Sequence, residues 1–407
     1  MMPNATSHSI RYLEALFTAT SAVCVTGLTV VDTSTAFTPT GKVILMSLIQ
    51  IGGLGIMTFA AFFSYLFLGS ASVKDRFLLK DFFSSENLGG LYKLLLKILL
   101  FTVMLEAAGA ALIYNVLDGN WFYKLQDSIF HAVSAFCNAG FSVYPQGLHT
   151  ASIRLNYRLQ LIICALIILG GIGFPLLLTL YTIVKQRTRS LWFSLIGGKN
   201  VHHPIRWPIG ERLAFQTTIV LLILGTVAYY GFEAFGVQYG TSVLYQSMTA
   251  FFASVSARTA GFNVVDLTTW SYPTLFLIMF LMWVGASPGS TGGGIKTATL
   301  AVAVKTVIGF LQGKNTLEID DREIGTPTIV RVFSVITLSL VFIFTGCVLL
   351  MIFDPTKQPL HLLFECVSAF STTGLSVANT ASLSDSSKAV LMILMFVGRI
   401  GPVVLLS

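Results

Sequence analysis

The sequence predicts an all-α integral membrane protein of four fused helix–pore-loop–helix repeats around one central pore with pseudo-fourfold symmetry. Three observations predict it: a short motif that returns four times, a composition suited to a bilayer, and an uneven distribution of basic residues. The motif reads SAVCVTGLTV, SAFCNAGFSV, VSARTAGFNV and SAFSTTGLSV, centred on Gly27, Gly140, Gly261 and Gly374. Aligned on those glycines, a phenylalanine stands ten residues earlier as Phe17, Phe130, Phe251 and Phe364. An apolar residue follows each glycine (Leu28, Phe141, Phe262, Leu375), and a valine stands three residues after it (Val30, Val143, Val264, Val377). The glycines lie 113, 121 and 113 residues apart. Self-similarity at this scale decides architecture before local propensity does.

Hydrophobic residues make up 54% and charged residues 11% of the 407 positions, whereas a soluble domain carries about 25% charged residues. Crossing a hydrocarbon core of about 30 Å takes about 20 apolar residues in a helix. Apolar stretches run near 43–68, 91–117, 159–184, 214–236, 273–285, 327–353 and 388–407. The polar start MMPNATSHSIRYLEALF predicts no removable signal peptide. Basic residues gather in three segments: Lys74, Arg76, Lys80 and Lys93; Lys185, Arg187, Arg189, Lys199, Arg206 and Arg212; Lys305, Lys314, Arg322 and Arg331. The positive-inside rule puts these in the cytoplasm and opens the repeated motifs outward. The net charge of +7 is then an orientation signal, not a nucleic-acid footprint. The five cysteines, Cys24, Cys137, Cys164, Cys347 and Cys366, contain no C-x-x-C pair, which argues against metal and disulfide roles.

Taken in order, the repeats occupy 1–70, 88–186, 209–314 and 325–407, each an outer helix, a short amphipathic segment, the glycine motif and an inner helix. Only sixteen residues precede Phe17, so the first repeat lacks its outer helix, which predicts a span missing ahead of Met1. Segments such as SIFHAVSAF and HLLFECVSAF are too short to span and read as re-entrant pore helices. Non-helical backbone after them is tolerable at membrane depth only where it is buried or lines water, so a cavity is expected there.

Glycine visits positive φ without a Cβ penalty, which lets consecutive carbonyls turn toward one axis. Four such segments would replace the water shell of a monovalent cation with carbonyl oxygens. Each preceding helix would aim its negative C-terminal end at the same point. A lone membrane glycine more often serves close helix packing; four aligned copies favour the cation pathway. The inner helices carry a second repeated feature: GGLG at Gly52–Gly55, GGIG at Gly170–Gly173, GASPGSTGGG at Gly285–Gly294 and GRIG at Gly398–Gly401. In the third copy the density of Gly, Ser and Pro breaks the helix halfway across the membrane.

Arg399 lies in an apolar run where a charge costs about 2.5–3.5 kcal/mol on insertion scales, so it must face a cavity or a partner. A structural pairing with Glu106 is the competing explanation. Arg258 sits inside the third motif, where a cation facing the axis would block conduction; its side chain is expected to turn behind the motif to a carboxylate, Glu365 or Asp127. Asp32, Asp118, Asp266, Asp354 and Asp385, on or near the outer face, would raise the local cation concentration, although a solvated loop charge is the commoner explanation for each singly.

SAVCVTGL, SAFCNAGFS, SARTAGFN and SAFSTTGLS together resemble the bacterial KtrB/TrkH and plant HKT superfamily of potassium transporters, most closely its KtrB branch, over essentially the whole chain. The resemblance implies potassium uptake across the cytoplasmic membrane through a carbonyl-lined selectivity filter. Its potassium sites would be formed by Val25, Thr26 and Gly27, by Asn138, Ala139 and Gly140, by Thr259, Ala260 and Gly261, and by Thr372, Thr373 and Gly374. Each segment departs from the TVGYG of tetrameric potassium channels, so fewer ion sites and less strict rejection of sodium are expected. The resemblance makes the third break an intramembrane gate loop of Ala286, Ser287, Pro288, Gly289, Ser290, Thr291, Gly292, Gly293 and Gly294, with Lys296 at its end and Arg399 as a fixed positive barrier. It implies no covalent cofactor, potassium as substrate, and sodium as activator or co-ion. The implied partners are membrane lipid, a second copy in a homodimer, and a cytoplasmic KtrA-type nucleotide-binding ring on the loops 69–93, 185–212 and 309–326. Nucleic acid is not among them.

Other classes fare worse. GSTGGGIKT nearly matches a phosphate-binding loop, but Ile295 separates glycine from lysine and an apolar helix stands where a strand is needed. A sodium- or proton-coupled secondary carrier of another small solute remains the alternative, since such carriers also have repeats and broken helices; the four motifs contain no carboxylate of the kind such sites use. An enzyme is not expected: His8, His131, His149, His202, His203 and His361 form no metal spacing.

Overall fold

The computed structural model describes residues 3–55, 88–150, 153–195, 207–233, 240–314, 317–319 and 322–401. Most of the described chain is helical. Among the described residues, three helices are long and apolar enough to cross a membrane: α3 (Leu88–Val116), α7 (Ile209–Glu233) and α11 (Thr326–Phe353). At 1.5 Å per residue the 25 residues of α7 reach about 37 Å. Their outward faces carry bare apolar side chains, among them Leu100 and Met104 on α3, Leu224 and Val227 on α7, and Leu340 and Phe344 on α11. That is the surface a lipid phase wets.

Inside these lie four short helices: α1 (Tyr12–Val23), α4 (Trp121–Phe136), α8 (Val243–Ala257) and α12 (Pro359–Phe370). None is long enough to span, and their C-terminal halves are buried, as in Phe130–Phe136 and Phe364–Phe370. Local chemistry sets their starts. Asn120 accepts from the Phe122 amide, Ser242 from the Tyr245 amide, and Pro359 occupies the first turn of α12, where its missing N–H costs nothing.

The inner helices are α2 (Pro39–Gly53), the pair α5 (Tyr157–Gly171) and α6 (Phe174–Leu195), the pair α9 (Tyr272–Trp283) and α10 (Thr297–Leu311), and α13 (Asp385–Ile400). A break was expected only in the third; the structure corrects this. The apolar stretch 159–184 is two helices bent by 105° at Ile172 and Gly173. α2 ends at Gly53 and α13 at Ile400, and Gly55, Gly173 and Gly401 have φ of 86°, 89° and 93°. The last glycine of each G-x-x-G thus leaves the helix through the left-handed region, which other residues enter at a cost. The first glycine of each permits a close approach: a Cβ on Gly52, Gly170 or Gly398 would strike the carbonyl of Val23, Phe136 or Phe370, the last helical residue of the neighbouring pore helix.

A small antiparallel hairpin, β1 (Leu317–Ile319) with β2 (Arg322–Ile324), connects α10 to α11. Between the first and last units, Arg11 before α1 pairs with Asp385 of α13 at 3.2 Å. Of the expected cytoplasmic cations, Lys74, Arg76, Lys80, Lys199 and Arg206 lie outside the described residues, as do His202 and His203.

Candidate functional site

Each pore helix runs into a hairpin with the same backbone. Two residues before each motif glycine the chain is left-handed, at Val25, Asn138, Thr259 and Thr372 with φ of 56°, 60°, 66° and 52°. The glycines follow at 89°, 69°, 74° and 91°. For β-branched Val25, Thr259 and Thr372 this conformation is costly, about 1–3 kcal/mol each, and persists because the surroundings hold it. The pore helices supply that restraint: the amides of Thr26, Ala139 and Thr373 donate to the carbonyls of Ser21, Ser134 and Ser368 at 2.7–2.9 Å, and Gly261 donates to Ser256 at 3.2 Å. The Ser21 and Ser368 hydroxyls also accept from the amides of Gly27 and Gly374.

The third hairpin is one residue shorter than the others. Ser134 Oγ donates to Phe141 O at 2.7 Å, and its counterpart is Ser256, which donates to Phe262 O from one position nearer the glycine. The side chain matching buried Phe17, Phe130 and Phe364 is therefore Phe252, not Phe251, which is only partly buried. Pinning the alignment on the glycine concealed this shift.

The four glycines form a closed cycle. An ideal Cβ on Gly27 would lie 3.1 Å from Gly140 Cα, one on Gly140 3.2 Å from Gly261 Cα, one on Gly261 3.3 Å from Gly374 Cα, and one on Gly374 3.0 Å from Gly27 Cα. Each would also meet the carbonyl just before the next glycine, on Ala139, Ala260, Thr373 and Thr26 in turn. Most amides of these hairpins are engaged behind, but the carbonyls of Val25–Gly27, Asn138–Gly140, Thr259–Gly261 and Thr372–Gly374 accept no hydrogen bond from any described residue. Orphan backbone carbonyls are rare in protein interiors. Here they cluster round one axis.

Above the ring opens a cavity of about 620 Å³ whose wall includes all four glycines, Asp32 and Asp266. Asp118, Asp354 and Asp385 are not on this wall; Asp354 accepts from Ser384, and Asp385 pairs with Arg11.

Beneath the ring lies the break between α9 and α10. Its neck is closed by Ile295 N–H donating to Trp283 O at 3.2 Å and Thr297 N–H donating to Ala286 O at 3.3 Å. Gly293 N–H donates to Thr372 Oγ1 at 3.0 Å, and a Cβ on Gly292 would strike Thr259 Oγ1. The loop thus touches the left-handed residues of the third and fourth hairpins. Ser287 N–H donates to Gly171 O at 3.0 Å, and Phe174 N–H donates to Gly289 O at 2.9 Å, so the loop is stitched to the break in the second inner helix. Pro288 is exposed, Ser290 Oγ has no partner, and Thr291 Oγ1 donates to Phe136 O. Ala286 is buried, Gly294 has φ 68°, and Lys296 Nζ donates to Gly292 O at 2.7 Å. Arg399 donates from Nη1 to Thr291 O and from Nη2 to Gly52 O. Glu106 instead accepts from Gln50 and Cys137.

Arg258 points behind the hairpins, but to no carboxylate. Its guanidinium donates to Thr218 O, Thr218 Oγ1 and Gly285 O at 3.3–3.4 Å, while Glu365 accepts from Ser376, Thr380 and the amides of Val377 and Ala378. The expected pairing with Glu365 or Asp127 is therefore wrong; carbonyls packed against a buried guanidinium take its place. The five cysteines are buried and free.

Re-entrant helices, a ring of orphan carbonyls and interrupted inner helices define a multi-pass membrane protein of the pore-loop class. The chain belongs to the TrkH family of cation transport proteins, which it matches over residues 1–406. It is 36% identical over 396 residues to Ktr system potassium uptake protein B of Vibrio alginolyticus, covering 96% of this chain and 83% of that one. It is 35% identical over 406 residues to Ktr system potassium uptake protein B of Bacillus subtilis, covering 99% and 86%. The potassium/sodium uptake protein NtpJ of Enterococcus hirae is 33% identical, with 97% of this chain and 84% of that one covered. The crystal structure of the potassium transporter TrkH from Vibrio parahaemolyticus shares the fold, with TM-score 0.70 at 18% identity over 98% of this chain and 79% of that one.

Proposed function

We propose that the chain takes up potassium across the cytoplasmic membrane, with the four hairpins as its selectivity filter. The observation that carries this reading is the ring of carbonyls left without a protein donor at the floor of the outer cavity. Such oxygens stand in for a hydration shell, and a dehydrated monovalent cation is the group they fit. Relatives named as potassium uptake proteins support potassium, and the relative named for potassium and sodium supports a role for sodium as activator or co-ion.

In the same reading the segment Ala286–Gly294 is the gate, with Lys296 and Arg399 as cationic groups that hold it across the path. The hairpins face outside and the basic loops face the cytoplasm. The regulator is a cytoplasmic KtrA-type nucleotide-binding ring, for which relatives named after a Ktr system argue; part of its docking surface, residues 69–87 and 196–206, lies outside the described residues. The chain works as a homodimer in which each copy holds its own path.

Rubidium uptake into proteoliposomes, with and without sodium, tests the proposal. Wild type is expected to accumulate rubidium against a sodium background and Gly261→Ser to lose that preference. Equal discrimination by both proteins would sink the filter assignment.

A further inference from the structure

Beside the outer cavity lies a second one of about 220 Å³, and His149 and Asp266 belong to the walls of both. Its remaining wall includes Tyr229, Tyr245, Trp270 and Glu233. None of the four ring glycines lines it, so it stands to the side of the proposed path.

Glu233 lies in the last described turn of α7 and is 1% exposed. Its two oxygens have different fates. Oε1 accepts from the Ser271 amide at 3.1 Å, the Ser271 hydroxyl at 3.0 Å and the Thr274 hydroxyl, and so fastens the start of α9 to the end of α7. Oε2 accepts no hydrogen bond from any described residue.

Among the described residues no Lys, Arg or His forms an ion pair with Glu233. Asp266 puts a second carboxylate on the same cavity. A buried anion in such a place calls for a positive partner.

We infer that this side cavity binds an alkali-metal cation, with Glu233 Oε2 as the charged ligand and water filling the rest of the shell. The carboxylates of Glu233 and Asp266 and the hydroxyls of Thr241, Thr269 and the two tyrosines on this wall are oxygen donors of the kind a hard cation takes. A single orphan carboxylate oxygen suits a monovalent ion better than calcium, which gathers six to eight oxygen ligands. The cavity is far larger than the space one water needs, so a partly hydrated ion fits.

Anomalous diffraction from crystals of the full chain grown in rubidium chloride tests this. A rubidium peak beside Glu233 is expected in wild type and its loss in Glu233→Gln, with ring peaks unchanged in both. The amide oxygen of glutamine still accepts from Ser271 and Thr274, so the variant is expected to fold; if it does not, the wild-type map alone decides. Ring peaks with nothing beside Glu233 would overturn the side site and leave the uptake proposal standing. A peak that survives Glu233→Gln, or one seen only with calcium or magnesium, would also overturn it. An empty ring in wild type would instead count against the filter.

Discussion

Arg258, in the third glycine hairpin, donates to the carbonyl of Gly285, 3.3 Å away in the break between α9 and α10. One side chain therefore ties the element proposed to select the ion to the element proposed to obstruct it. The same guanidinium holds Thr218, whose hydroxyl lies 3.5 Å from Ser287 Oγ in the loop. Hydrogen bonds to a charged donor contribute about 1.5–3 kcal/mol each. Arg258→Gln should lower the thermal unfolding temperature in detergent and also weaken exclusion of sodium in rubidium uptake. Arg258→Lys should keep the charge but lose the fork. A variant that unfolds earlier yet selects as wild type would reduce Arg258 to a packing role.

The closed cycle of Gly27, Gly140, Gly261 and Gly374 predicts equivalence. A Cβ on any of them strikes the next hairpin's backbone and is held at positive φ, which costs about 1–2 kcal/mol for an L-residue. Alanine at each position should therefore erode rubidium-over-sodium preference to a similar degree, read as the ratio of initial uptake rates. One tolerant position among the four would break the symmetry argument.

Outside the membrane, Asp354 closes the fourth unit by accepting from Ser384 N–H at 3.1 Å and Ser384 Oγ at 2.9 Å at the start of α13. Burial pushes its carboxyl up, but hydrogen bonds from Ser387 and Ser384 and the charge of Lys357 outweigh this and hold it below the usual carboxylate range. A group whose folded pKa is depressed stabilises above its unfolded pKa of about 3.9 and loses that contribution as pH falls through the folded value. Wild type should unfold at a higher temperature than Asp354→Asn at neutral pH, with the gap closing below about pH 4. A gap independent of pH would show that the carboxylate's charge is not what stabilises.

The glycine hairpins were legible because their chemistry is written in residue type: positive φ selects glycine, and repetition lifted four weak signals above chance. The third unit's one-residue shift was not, because an alignment pinned on Gly261 puts Phe251 where Phe252 packs, and both are phenylalanine. The bend at Ile172 and Gly173 was hidden in an unbroken apolar run. What holds it there is tertiary, the Phe174 amide on Gly289 of another unit. The partners of Arg258 are illegible for a similar reason: backbone carbonyls of Thr218 and Gly285 leave no mark in a sequence, whereas a carboxylate does.

Arg399 offers the sharpest test of gating. Its two terminal nitrogens donate to Thr291 O in the loop and Gly52 O on α2, so it both pins the loop and sets a fixed positive charge below the ring. Arg399→Gln removes the charge and is too short to keep both contacts, so rubidium flux should rise severalfold; a tenfold rise corresponds to about 1.4 kcal/mol off the barrier. Arg399→Lys separates the two contributions, because it keeps the charge without the fork. Flux near wild type in Arg399→Lys and raised in Arg399→Gln would identify electrostatic repulsion as the barrier, while equal rises in both would identify the pinning of Thr291. Unchanged or lower flux in Arg399→Gln at normal expression would count against either role.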